Sequence, residues 1–166
     1  MLASTSPYRR MLLERLAVRF DSVAPQVEEA PLPGEHPLDL VSRLAREKAE
    51  AVARDRHRSL VIGADQLAVC GQQVLGKPGT VDKCIDQLRA VSGRQVTFHT
   101  AVHVLNQISG SHEAHVDATT VTFRTLDDEE IRRYVAHEKP LDCAGGFKAE
   151  GLGIALFERI DSQDPT

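Results

Sequence analysis

The chain has 166 residues, 42% of them apolar and 27% charged, and 20 basic against 24 acidic side chains leave a net charge of −4 at pH 7. That length sets the expectation of one domain, able to bury about two-thirds of the surface its unfolded chain exposes. The acidic balance argues against nonspecific nucleic-acid binding, and the absence of Trp among only 4% aromatics removes the stacking platforms that single strands need. Cys70, Cys84 and Cys143 form no CxxC and suit buried thiols in a reducing compartment better than a disulfide framework. No apolar run reaches transmembrane length and the N-terminus lacks a signal-peptide core, so a cytoplasmic location without a membrane partner is expected.

Met1-Leu2-Ala3 reads as the stub of a first strand. Ser4 to Arg10 then opens a helix, with Ser6 as N-cap, Pro7 in the first helical position, and Leu12, Leu13 and Leu16 as the expected buried face. This helix start offers backbone N–H groups, hydroxyls and guanidinium groups, the ingredients of a phosphate site, although an ordinary capped helix carries the same groups. Val23 to Glu29 reads as a short strand entering a Pro-rich loop that extends to Pro37. Leu38 to Arg54 is the clearest helix. At ~100° per residue, Val41, Leu44, Ala45 and Val52 fall within roughly 60° of Lys48, while Arg43, Arg46, Glu47, Glu50 and Arg54 lie opposite. Lys48 thus sits inside the apolar stripe, where a lysine is paired, functional or snorkelling.

Leu60-Val61-Ile62-Gly63 reads as a buried strand with Asp65 at its end, a rigid mount at which α/β folds collect ligands. Leu67 to Cys70, a Gly71-Gln72 turn and Gln73 to Leu75 read as a hairpin returning to Lys77, which Gly76 and Pro78 hold in a bend. In the plainer reading, Asp65 merely ends a strand and Lys77 is a solvated turn residue. Thr80 to Ser92 forms a second amphipathic helix, with Ile85, Leu88 and Val91 inside and Gly93 as its stop. Gln95 to Leu105 and Ala118 to Arg124 read as partner strands around a turn at Asn106 to Ser111. Asp127 and Glu130 have capping-box spacing at the start of a third helix, whose inward residues are Ile131, Tyr134 and Val135 and which Pro140 follows. Cys143 to Lys148 and Gly153 to Ile160 read as strands around a Gly-rich turn.

The pairs His99 with His103 and His112 with His115 invite a zinc reading, but strand-face histidines explain them better. Walker A, GxSxG and Rossmann patterns are absent. Acids beside a phosphate-type helix start and two special lysines fit metal-assisted phosphoryl chemistry, in which water attacks phosphorus and basic groups neutralise charge.

Six pieces, in order, give the chain a resemblance to a known family: Leu2-Ala3-Ser4-Thr5-Ser6-Pro7-Tyr8-Arg9, Pro25-Gln26-Val27-Glu28-Glu29, Leu44-Ala45-Arg46-Glu47-Lys48-Ala49, Gly63-Ala64-Asp65-Gln66, Gly76-Lys77-Pro78 and Ala144 to Gly151. Together they resemble the Maf nucleotide pyrophosphatases over nearly the whole chain. The resemblance implies an elongated mixed α/β fold with flanking helices and a cleft between two lobes, akin to the inosine-triphosphate pyrophosphatases. It implies hydrolysis of a nucleoside triphosphate to monophosphate and pyrophosphate with a divalent cation (Mg²⁺, Mn²⁺ or Co²⁺) in the cytoplasm. Carried across, Asp65 matches the catalytic base and a metal ligand, Glu29 the acid of the metal site, and Ser4, Arg9, Lys48 and Lys77 the groups that hold the triphosphate. Asp142 is a weaker candidate.

Tyr8, Gln66 and Glu150 stand where the branch that takes dTTP and UTP shows arginine, threonine and glutamine, and they resemble the 7-methyl-GTP branch instead. N7-methylation makes guanine cationic, which suits a tyrosine face and a carboxylate at the N1–H and N2–H edge. The chain departs from the pattern in its short first strand and in ending at Asp164-Pro165-Thr166, where relatives continue into a further segment; a truncated, less stable or less active form is the expectation. The alternatives are a pyrophosphatase for unmodified nucleotides such as dTTP and UTP, a non-catalytic nucleotide-binding regulator of cell division, and a zinc-binding structural module. A homodimer is left open.

Overall fold

The computed structural model describes residues 1–163, so Asp164, Pro165 and Thr166 lie outside the described residues. Its strands are β1 (Leu2–Ala3), β2 (Leu60–Cys70), β3 (Gln73–Leu75), β4 (Gln95–Asn106), β5 (His112–Phe123) and β6 (Phe157–Asp161). Its helices are α1 (Pro7–Glu14), α2 (Pro37–Ala53), α3 (Val81–Val91) and α4 (Asp128–Glu138). The sheet is mixed, in the order β1-β2-β4-β5-β6 with β3 paired to β2, and the architecture is the expected mixed α/β. The chain packs as two compact units, one of Met1–Gln66 with Thr100–Val116 and the other of Leu67–His99 with the segment from Asp117 onward. Strands β2, β4 and β5 contribute residues to both.

In the first unit, β1 runs parallel to β2, with Leu2 opposite Ile62 and Ala3 opposite Gly63. Helix α2 begins at Pro37, where the His36 ring nitrogen accepts from the Leu38 amide at 3.4 Å, so the helix starts one residue before the position its pattern predicts. Its buried residues are Leu40, Val41, Leu44, Ala45, Lys48, Ala49, Val52 and Ala53, the stripe that the period of 3.6 predicts, lysine included. Gly63 sets how closely α2 approaches β2. A Cβ on Gly63 would land on the Ala45 carbonyl oxygen and 2.6 Å from the Ala49 nitrogen, so the helix backbone rests almost directly on the strand.

Three expectations for this unit fail. Helix α1 is capped as predicted, Ser6 Oγ accepting from the Arg9 amide at 3.4 Å, but it buries none of its residues. It spans eight residues and ends before Leu16, which is 67% exposed, while Leu12 is exposed and Leu13 half-buried. Local caps, not an apolar face, define it. Residues 23–29 form no strand; Ser22 makes one bridge to Leu2, and Pro25, lacking an N–H, cannot donate to a ladder. Strand β2 does not stop at Asp65 but continues to Cys70, so the carboxylate sits mid-strand and not at a tip. Its apolar residues resume after Asp65-Gln66, and that one interrupted run is a single strand.

A buried imidazole lies in the same unit. His103 is 6% exposed and its ring stacks on His112, with centroids 5.1 Å apart and planes at 18°. Burial first, then the neighbouring His112, hold its pKa below the usual histidine value; Glu50 pulls the other way, and Arg46 adds the smallest lowering. A depressed folded pKa means the unfolded chain binds more protons near pH 6.5, so stability is full above that pH and is lost as pH falls toward the folded pKa. The melting temperature should therefore drop on acidification below about pH 6.5. The drop should be smaller in His103→Gln; an identical acid dependence would assign it to other groups.

The second unit is built on a phenylalanine cluster. Phe147 meets Phe98, Phe123 and Phe157 edge-on at 5.3, 5.2 and 5.0 Å, over a core that includes Cys84, Leu88, Val96, Ile131, Val135 and Leu156. The β2–β3 hairpin has the predicted two-residue turn, with Ala68 opposite Leu75 and Cys70 opposite Gln73. Helix α4 carries the predicted N-cap, Asp127 Oδ1 accepting from the Glu130 amide, and α3 is capped by Thr80, whose Oγ1 accepts from the Lys83 amide. The Glu130 side chain pairs with Arg124 in place of closing a capping box. Strand β5 starts at His112, six residues before the expected Ala118. Its first five residues are all exposed, so they carry little of the burial that marks a strand, although Ala114, Val116 and Ala118 do alternate with polar neighbours. Cys143 to Lys148 is not a strand. Gly145 and Gly146 have φ of 80° and 74°, and a left-handed pair cannot continue a ladder, so Ala144–Gly146 forms a 3-10 turn. Leu152–Leu156 is likewise a 3-10 turn, so the second expected strand, Gly153 to Ile160, begins only at Phe157 and runs as Phe157–Asp161.

Candidate active site

The first unit gathers four of the charged residues singled out in the sequence. Lys48 Nζ donates to Asp65 Oδ1 at 2.6 Å and lies 2.6 Å from Glu29 Oε1. Lys48 is 5% exposed and Asp65 7%, whereas the Glu29 side chain reaches solvent. The Lys48 side chain is therefore clasped, not snorkelling. Arg9, half-buried, lies in the field of Asp65 and Glu29; loss of hydration lowers its pKa more than the two carboxylates raise it. Its guanidinium stays charged in any case.

Local structure explains this gathering. Ser4 is 5% exposed and its Oγ accepts from the Ser6 amide at 3.1 Å, which folds Ser4-Thr5-Ser6 into the turn that starts α1 and carries Tyr8 and Arg9. The close approach at Gly63 sets the Ala45–Ala49 turn of α2 over β2, and Lys48 belongs to that turn. Glu29 comes from the irregular segment before α2, where Glu28 Oε1 accepts from the Ala30 amide at 3.2 Å. Gln66, next to Asp65, is exposed, and its Nε2 donates to Thr100 Oγ1 at 2.9 Å.

Lys77, Asp142 and Glu150 belong to the second unit, and all three are exposed. The Gly76-Lys77-Pro78 bend is held from α3, whose Gln87 Nε2 donates to the Gly76 carbonyl at 3.1 Å, and the Gly79 amide donates to Leu141 O at 2.9 Å. A cavity of about 370 Å³ beside this bend is lined by Lys77, Lys83, Gln73 and Gln87 among others. Glu150 lies on the loop after Phe147, which is tied to α4 at both sides. The Lys148 amide donates to the Tyr134 hydroxyl at 3.0 Å and the Leu152 amide to Glu138 Oε2 at 2.8 Å. Burial drives the Tyr134 pKa well up, so it stays a neutral phenol and keeps that contact across the working pH range. Asp142 Oδ1 faces the Cys143 thiol at 3.6 Å.

Sequence reasoning missed the supports: Thr100 under Gln66, Gln87 at the lysine bend, and Tyr134 and Glu138 on the Glu150 loop. Only Tyr134 had a signal, a hydroxyl on a buried helix face that must find a partner. Glu29 and Asp65 fit a hard divalent cation, since Mg²⁺ is commonly held by one or two carboxylates with substrate phosphates completing its shell. Among the described residues, no group of three or more His, Cys, Asp or Glu is placed to hold a metal. No described helix is long and apolar enough to cross a membrane.

Comparison with known proteins gives a consistent picture. The family model described as Maf-like protein matches residues 1–166. A protein of Pseudomonas putida, named 7-methyl-GTP pyrophosphatase, is 51% identical over 166 residues, which is 100% of this chain and 86% of that protein. A Polaromonas protein of the same name is 52% identical over 166 residues and 76% of its own length. One from Nitrosococcus oceani, also so named, is 47% identical over 165 residues, 99% of this chain and 83% of its own.

Proposed function

The chain belongs to the Maf family, and from that premise we infer that it is a nucleotide pyrophosphatase that converts 7-methyl-GTP to 7-methyl-GMP and pyrophosphate. The observation that carries the reading is the cluster of Arg9, Glu29, Lys48 and Asp65 in one unit, in a chain whose relatives bear that enzyme name over its whole length. Asp65 is the assigned base: one of its carboxylate oxygens takes the proton as a water oxygen adds to phosphorus and the bond to pyrophosphate breaks. Arg9 and Lys48, with Lys77 and the Ser4 hydroxyl, are assigned to the triphosphate, whose developing charge they neutralise. Glu29 and Asp65 would hold a divalent cation, which supplies Lewis-acid polarisation of the phosphoryl oxygens when bound. A cytoplasmic location accords with this substrate.

Tyr8, Gln66 and Glu150 are assigned to the base. The Tyr8 ring is 44% exposed on the first turn of α1 and presents a face to a cationic purine, and Glu150 offers a carboxylate to its N–H edge. Thr100 fixes the Gln66 amide from the side. Pyrophosphate release from 7-methyl-GTP, GTP, dTTP and UTP, with Mg²⁺ or Mn²⁺, tests the reading. The methylated nucleotide should give the highest kcat/KM; preference for dTTP or UTP would discard the branch and keep the chemistry. The combined Tyr8→Arg, Gln66→Thr, Glu150→Gln variant should lose about tenfold or more on 7-methyl-GTP and gain dTTP turnover.

A further inference from the structure

Lys48 is the charged exception in a buried stripe whose other seven members are apolar, and its ammonium is held by two carboxylates at the same distance, 2.6 Å. Burying a cation in this way is costly unless it is paired, and burying the Asp65 carboxylate is costly unless it is compensated. The arrangement thus has Lys48 doing, with one positive charge, what a divalent cation does between two acids. Both cannot occupy that place. A metal ion binds carboxylate oxygen at 2.0–2.1 Å, closer than the 2.6 Å ammonium contact, and the two cations would repel each other strongly in a poorly hydrated site.

We propose that Lys48 is an internal counter-cation that holds Glu29 and Asp65 together without metal, and that a divalent cation displaces its amine from between them. The proposal rests on the metal role given above to Glu29 and Asp65. It extends the role of Lys48 beyond phosphate binding: the lysine sets how tightly metal binds before nucleotide arrives.

Mn²⁺ alone, titrated without nucleotide and followed by the loss of its free electron paramagnetic resonance signal, reads the competition directly. Lys48→Met keeps the length of the side chain in the apolar stripe and removes the competing charge. It should bind Mn²⁺ about tenfold or more tightly than wild type, a difference on the scale of one lost charge–charge repulsion. Mn²⁺ should also raise its melting temperature more than that of wild type, and adding Asp65→Asn should cancel both gains. Equal or weaker binding in Lys48→Met would overturn the proposal.

A second measurement needs no variant. Reductive methylation of wild type, quantified at each lysine by mass spectrometry, should be slow at Lys48 and become faster with saturating Mg²⁺, while exposed Lys83 stays constant. Unchanged labelling of Lys48 would equally overturn displacement. Neither readout involves turnover, so an inactive protein that shows both effects would sink the enzymatic reading alone, and an active one that shows neither would sink only this proposal.

Discussion

Asp65→Asn is expected to lower kcat for pyrophosphate release by about 10²- to 10⁴-fold, the usual contribution of a positioned general base. The substitution is isosteric. Asn keeps a carbonyl oxygen that accepts from Lys48 where Oδ1 now accepts at 2.6 Å, so the fold and the position of the lysine should survive. What it loses is an oxygen able to take the proton of the attacking water. KM for the nucleotide should change far less than kcat, because the phosphate-holding groups remain. Asp65→Ala is a poorer probe, since it leaves a cavity and strips Lys48 of its buried partner. Steady-state rates beside a thermal melt settle the matter: a folded Asp65→Asn protein with near-normal kcat would move the base elsewhere.

How much of this was legible in the sequence follows from what sets each feature. The stripes of α2 and α3, the cap of α4 and the β2–β3 turn were legible because local rules, periodicity and side-chain capping, decide them. Lys48 stood out for the same reason, as the one charge on the wrong face. Its partners did not, because Glu29 comes from a segment without regular structure and Asp65 from mid-strand, and no pattern along the chain joins positions 29, 48 and 65. Their grouping in advance depended on the family resemblance. The first half of β5 was missed because its alternation, Ala114, Val116 and Ala118 against His115 and Asp117, is short and weakly apolar on an exposed stretch, and pairing with a neighbour makes it a strand. The Cys143 to Lys148 segment was misread because glycine looks neutral in an apolar pattern, while its left-handed backbone decides the geometry.

Gly63 carries the second large effect, on stability and site together. The Cβ of an alanine there would fall on Ala45 O and near Ala49 N, the two groups that the i to i+4 ladder joins within α2. Neither can rotate away as a side-chain tip would. The helix must lift from the strand or its hydrogen bond must open. Overpacking usually costs ~1–3 kcal/mol, and a clash against two backbone groups belongs at or above the top of that range. For a chain of this size, about 3 kcal/mol lowers the melting temperature by roughly 6–12 °C. Lys48 belongs to the same turn of α2, so lifting the helix also draws its ammonium from Asp65, and activity should fall with stability. Gly76→Ala is the matched control. A Cβ there meets nothing within 4 Å, and no positive φ strains it, so its melt should stay near that of wild type. If Gly63→Ala instead melts with Gly76→Ala, the helix and strand are not in backbone contact, and the close approach cannot be what positions the lysine.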